Sequence, residues 1–172
     1  MKKLLLLFIS IYLSLIIFMP KEELLYTAIN KLNPNHQIEL KIDNIKDYGI
    51  FLKIDSANIY YENFYLGNIG LIKIFPLIFY NQIKILSVEL SNKFKKITNL
   101  SIFEANIIYH IFDPKEINLT ATTNIGKIKG RFNLKNFKLS IFLTPNKNFN
   151  HFKYKHFFKK QGGGYIYELF VK

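Results

Sequence analysis

The chain has 172 residues, no Cys, no Trp and a formal net charge of +12. That length allows one domain with at most an appendage. The missing Cys excludes a disulfide framework, a thiolate zinc site and a cysteine nucleophile, and 49% hydrophobic residues exclude a disordered basic tail. The charge is unevenly placed. Residues 1–20 carry +2, residues 21–125 balance 11 Lys against 11 acids, and residues 126–172 set ten Lys and Arg131 against Glu168 alone. Such a balance points to an anionic partner, a membrane surface or nucleic acid. Nucleic acid is the weaker of the two, because Arg131 is the single arginine and no nucleic-acid-binding motif occurs.

Lys2 and Lys3 precede an uncharged run from Leu4 to Met19. As a helix this run is about 24 Å long against a hydrocarbon core of about 30 Å, a shortfall that snorkelling by Lys3 and Lys21 can cover. A cleaved signal peptide would need small residues just past the apolar stretch. Ile17-Phe18-Met19-Pro20-Lys21-Glu22 offers none, so the segment 1–20 reads as an uncleaved transmembrane anchor. Lys2 and Lys3 then place the N-terminus in the cytoplasm and the remainder in the periplasm of a bacterial inner-membrane protein.

Pro20-Lys21-Glu22-Glu23 starts a second helix, with proline and acids where a helix N-terminus favours them. Leu24, Leu25, Ala28, Ile29 and Leu32 recur at helical spacing, and Asn33-Pro34-Asn35 stops the helix. The segment 21–35 is therefore a juxtamembrane amphipathic helix that lies on the bilayer or caps the sheet formed by the remainder of the chain.

From His36 the period changes to two. Ile38, Leu40 and Ile42 form the first run, and Ile50, Leu52 and Ile54 come after the Asp47-Tyr48-Gly49 turn. Further runs are Ala57 to Tyr61, Phe64 to Leu66, Ile69 to Phe75, Ile83 to Val88, Ala105 to Phe112, Ile117 to Ala121, and a hairpin of 125–134 with 137–143. Tyr165 to Val171 closes the chain. Short alternating runs punctuated by Gly, Pro and Asn predict a mainly β domain over 36–172, an antiparallel meander. One interruption, Asn148 to Gln161, places Phe149, Phe152 and His156 or Phe157 on one helical face, with lysines around it and Gly162-Gly163-Gly164 at its end as a terminator and hinge. A helical insert over about 149–161 is expected. Its lysines Lys153, Lys155, Lys159 and Lys160, with Lys147 just before it, are the candidates for contact with an anionic surface. The commoner outcome for such a segment is a crossover helix whose Phe face packs on the sheet and whose lysines face water.

Residues for chemistry are sparse. His36, His110, His151 and His156 form no metal-binding spacing, and His151 and His156 fall on different helical faces. There is no nucleophile elbow. Gly126-Lys127-Ile128-Lys129-Gly130 lacks the ending of a phosphate-binding loop and sits in a strand pattern, where glycine marks a bulge or close packing. The expectation is a protein without catalytic residues, metal or cofactor.

The short span, Met19-Pro20-Lys21-Glu22-Glu23-Leu24-Leu25-Tyr26, the segment Asn68-Ile69-Gly70-Leu71-Ile72-Lys73-Ile74-Phe75-Pro76-Leu77-Ile78, then 125–134 and Leu143-Thr144-Pro145 together resemble the type II secretion system protein N group and, more loosely, AsmA-like envelope proteins. The resemblance implies a single-span inner-membrane protein with a periplasmic β-domain and no catalytic residues to carry over. Its partners would be the inner membrane and other secretion or envelope components. The expected role is a structural or adaptor part of secretion, envelope or lipid-transport machinery. The alternatives are a lipid or lipopolysaccharide carrier using an apolar sheet face, and a basic module binding anionic membrane or polymer through residues 126–172.

Overall fold

The computed structural model describes residues 2–32 and 37–170. The Asn33-Pro34-Asn35 helix stop, His36 and Val171 lie outside them. Helix α1 (Lys2–Phe18) is succeeded, after a break at Met19-Pro20, by α2 (Lys21–Leu32). The rest is mainly strand: β1 (Ile38–Asp47), β2 (Leu52–Tyr61), β3 (Phe64–Pro76), β4 (Tyr80–Leu90), then helix α3 (Asn92–Thr98), β5 (Ile102–His110), β6 (Glu116–Thr123), β7 (Gly126–Asn133), β8 (Lys138–Pro145), β9 (Lys159–Gln161) and β10 (Gly164–Phe170). All ten strands form one antiparallel sheet in the order β1-β2-β3-β4-β5-β6-β7-β8-β10-β9. The meander read from period-two alternation is present, with one departure: β9 pairs on the outer side of β10.

Alternation separates the two faces. One cross-strand row reads Ile45, Ile54, Ile72, Ile85, Ala105, Ala121, Ile128, Leu143, Tyr165. This apolar face carries two buried clusters. The first centres on Ile54, Ala57, Ile69 and Ile72, with Leu25 of α2 packed on it. The second centres on Ile125, Leu143, Phe149 and Phe152 near the other side of the sheet. Between them Ile83, Ile107, Leu119 and Ile141 are only half-buried. Of the stripe on α2, Leu25 and Ile29 turn inward while Leu24 stays exposed.

The runs Ile50–Ile54 and Ala57–Tyr61 are a single strand, as are Phe64–Leu66 and Ile69–Phe75. The phase of alternation slips at Ser56 and Gly70, so that Ile54 with Ala57, and Ile69 with Ile72, share a face. Ser56 and Ser87, which flank Gly70 on β2 and β4, have φ of 71° and 58°, left-handed conformations that let a strand change face without ending.

The expected helix over 149–161 is absent. Its place is taken by two short 3-10 helices, Lys147–His151 and Lys155–Phe157, and by β9. Asn146 caps the first by accepting from the Asn148 amide at 2.9 Å. Asn, His, Phe and Tyr are poor helix formers, and three tertiary anchors outweigh a continuous helix. Phe149, Phe152 and Phe158 pack together with Tyr165, the Phe149 ring lying tilted 4.5 Å from that of Tyr165. Phe157, expected on the inner face, is exposed. Gly162 and Gly163 form the turn from β9 to β10 and not a hinge, and Gly164 sits tightly against Phe142 and the Leu143 carbonyl. The glycines of 126–130 do mark close packing, since a Cβ at Gly126 would collide with the Thr144 carbonyl.

Candidate membrane-facing rim and basic sheet face

The antiparallel order puts the turns β1–β2, β3–β4, β5–β6 and β7–β8 at one end of the sheet. Helix α1 docks at that end. Tyr12 and Ile16 lie one turn apart, so they share a helix face. Ile16 is buried, and the Tyr12 hydroxyl donates to the Leu77 carbonyl at 2.7 Å. The Tyr12 ring stacks on Phe79, which stacks on Phe112. Ile78 lies beside Ser10, Ile11 and Ser14. The rest of α1, including Leu4 to Ile9, is exposed. Around the same end Tyr48, Ile50, Phe79, Ile111 and Phe112 are exposed as well.

Lys21 anchors the junction. Its side chain is fully buried and its ammonium reaches the Ile17 and Met19 carbonyls and Asp47 Oδ2, each at 3.3 Å. The Ile17 carbonyl, left over at the end of α1, thereby gains a donor, and the Met19 carbonyl, which already accepts the Lys21 amide at 2.9 Å, gains a second, from a cation placed where the α1 dipole favours it. Sequence reading gave Lys21 a snorkelling role; the structure gives it a capping role. Lys2 and Lys3 are exposed at the other end of α1, where a cation opposes the dipole.

The opposite sheet face is polar and carries a feature that no local pattern discloses. One row across all ten strands reads Lys46, Lys53, Lys73, Lys84, Asn106, Thr120, Lys129, Phe142, Ile166, Lys159. Four lysines stand directly opposite one another on β1–β4, an arrangement that opposes sheet formation by like-charge repulsion. Lys53 alone of the four has an ion pair among the described residues, to Asp55 at 2.7 Å. That bond raises the Lys53 pKa above the ordinary lysine value, and Lys73 lies over the Phe51 ring. At the far side, Glu168 accepts from Lys138 at 2.7 Å, which lowers its carboxyl pKa, with Ser140 and Lys159 adding to the effect.

The five lysines singled out from the sequence do not gather on one surface. Lys147 is exposed in the first 3-10 helix. Lys153 and His151 border a shallow hollow with Lys95 and Lys96 of α3, a helix absent from the sequence reading. Lys155 donates to the Asn150 carbonyl at 3.0 Å. Lys159 and Lys160 are consecutive in β9 and so point to opposite sheet faces. Among the described residues no group of three or more His, Asp or Glu is placed to hold a metal ion.

No single described helix is long and apolar enough to cross a membrane; α1 and α2 meet that measure only as a pair bent by 64°. Comparison with protein-family models, with curated proteins and with solved structures finds no match to this chain.

Proposed function

We propose that the chain is a non-enzymatic, single-pass inner-membrane protein with its N-terminus in the cytoplasm. Its periplasmic sheet would serve as a structural or adaptor component of secretion, envelope or lipid-transport machinery, as the resemblance to the type II secretion N group and AsmA-like proteins implies. The observation that carries this reading is α1. Beyond Lys3 it carries no charge on any side, yet Ile16 is its one buried residue and Tyr12 its one half-buried residue. An aqueous solvent disfavours such a helix and lipid favours it. At 17 residues α1 is about 26 Å long, and local thinning of the bilayer or snorkelling by Lys2 and Lys3 makes up the difference. Their position, against the helix dipole, favours a topological role over a stabilising one.

A reporter that works only in the periplasm, fused after Lys172, is expected to be active, and the chain is expected to stay with membranes after alkaline extraction. An active cytoplasmic reporter at the same position would overturn the orientation, and release by alkali would overturn the anchor. A second reading, carriage of lipid on the apolar sheet face, is favoured by the half-buried strip of Ile83, Ile107, Leu119 and Ile141 between the two clusters.

A further inference from the structure

We propose that the turn end of the sheet beside α1 is a rim that dips into the bilayer, and that the lysine row on β1–β4 lies in the anionic headgroup layer above it. The inference rests on reading α1 as a membrane anchor, but the geometry that carries it belongs to the sheet. Tyr12 lies six residues before the end of α1, about 9 Å along the helix axis. Its bond to Leu77 and its stacking on Phe79 fix the β3–β4 turn at that level. If α1 is in lipid up to Phe18, this turn is below the hydrocarbon boundary.

The turn is built for such a medium. Inside lipid, backbone polar groups must find partners within the protein. The Leu77 amide donates to Tyr80, and the Phe79 amide to Leu77. The Leu77 carbonyl accepts from Tyr12, that of Ile78 from the Asn81 side chain, and that of Phe79 from the Ile111 amide. Five of the six backbone amides and carbonyls of Leu77–Phe79 are thus paired within the protein, the Ile78 amide alone being left over. Ile78 holds φ at 61°, a left-handed conformation unusual for a β-branched residue, and this strain keeps an apolar side chain beside α1. Tyr48 and Ile50 on the β1–β2 turn, and Ile111 and Phe112 after β5, extend the patch, with Phe112 85% exposed. The patch ends at the exposed Asp113 and Lys115 that follow Phe112, and beyond them the β7–β8 turn carries Lys135 and Asn136.

The charges fit the same frame. Lys84 lies five residues beyond Phe79 along β4, about 16 Å. Subtracting the depth of about 9 Å leaves the lysine row some 7 Å above the boundary, and the headgroup layer is roughly 5–7 Å thick. A cross-strand row runs parallel to the turn end of the sheet, so Lys46, Lys53, Lys73 and Lys84 reach that layer together. Anionic phospholipids relieve the repulsion that otherwise opposes this row.

The chain has no Trp, so a substituted Trp is a single reporter of depth. Full-length Phe112→Trp, Leu7→Trp and Phe64→Trp variants are reconstituted into phosphatidylcholine–phosphatidylglycerol vesicles with brominated acyl chains. Leu7 and Phe64 are exposed, on α1 and on the turn at the opposite end of the sheet. Quenching is expected at positions 7 and 112 and not at 64. Quenching at 7 without 112 overturns the rim and leaves the anchor standing, while absence of quenching at both removes the anchor on which the rim rests. Quenching at 112 is also expected to rise as phosphatidylglycerol replaces phosphatidylcholine. It should lose that response when Lys46, Lys53, Lys73 and Lys84 are changed to Gln; an unchanged response overturns the headgroup assignment. Phe112 and the lysine side chains face outward, so these changes leave the buried clusters intact.

Discussion

Lys21 shows how a single side chain joins helix to sheet. A buried ammonium is costly unless its protons are used, and here two helix-end carbonyls and Asp47 use them. Lys21→Met removes the cation and leaves the Ile17 carbonyl and Asp47 Oδ2 without their donor, while the Met19 carbonyl keeps the backbone amide of residue 21. A loss of about 1–3 kcal/mol is expected, read by urea unfolding of the full chain in detergent. Asp47→Asn should cost less than about 1 kcal/mol, because Asp47 is partly solvated and the two carbonyls keep their donor. Equal losses from the two variants would mean that the ion pair, and not the cap, holds the junction. None of this was legible in the sequence. Lys21 comes after an apolar run and reads as a membrane-edge cation, and only the return of β1 to the base of α1 brings Asp47 to it.

At the scale of elements, alternation of polar and apolar residues was a sound guide to the strands, and it misled where it changed phase. The pairs Ile54 with Ala57 and Ile69 with Ile72 break a period of two, so two continuous strands read as four short ones; the left-handed Ser56 supplies the missing explanation. Helix α3 went unread although Ser91 and Asn99 cap it, the first accepting from the Phe94 amide and the second turning left-handed at its end. Seven residues with no apolar stripe give periodicity too little to act on. The 149–161 segment failed for the opposite reason. Its Phe spacing suits a helix face, but aromatic packing on Leu143 and Tyr165 fixes the chain in turns. Phe149 is the centre of that packing. Phe149→Ala should cost about 3–5 kcal/mol through the cavity it leaves. Hydrogen exchange should show lost protection in β8 and β10 with β2 and β3 retained. Uniform loss across the sheet would mean that the two apolar clusters are one cooperative unit.

The whole molecule is one sheet, and most domains close such a face with a second layer. Here α2 shields one side and the aromatic segment the other, while the strip from Ile83 to Ile141 is half-buried between them. The +12 charge, weighted along the sequence toward the C-terminal residues, is redistributed by the fold. Register brings Lys46, Lys53, Lys73 and Lys84 from a neutral part of the sequence into one row with Lys129 and Lys159, and scatters Lys147, Lys153, Lys155 and Lys160. Charge summed along a chain cannot disclose this, because strand pairing joins residues far apart in sequence. The apolar strip is open to a direct test. If it carries acyl chains, protein extracted in mild detergent should retain phospholipid detectable by native mass spectrometry. Ile107→Glu, which places a carboxylate among Ile83 and Leu119, should then remove the lipid without releasing the chain from membranes, since α1 is untouched. A wild-type protein free of lipid would exclude the carrier reading. Lipid that survives Ile107→Glu would move the bound molecule to α1 or to the rim. The two surfaces are thus separable: the rim answers to headgroup charge, and the strip answers to a single carboxylate placed on it.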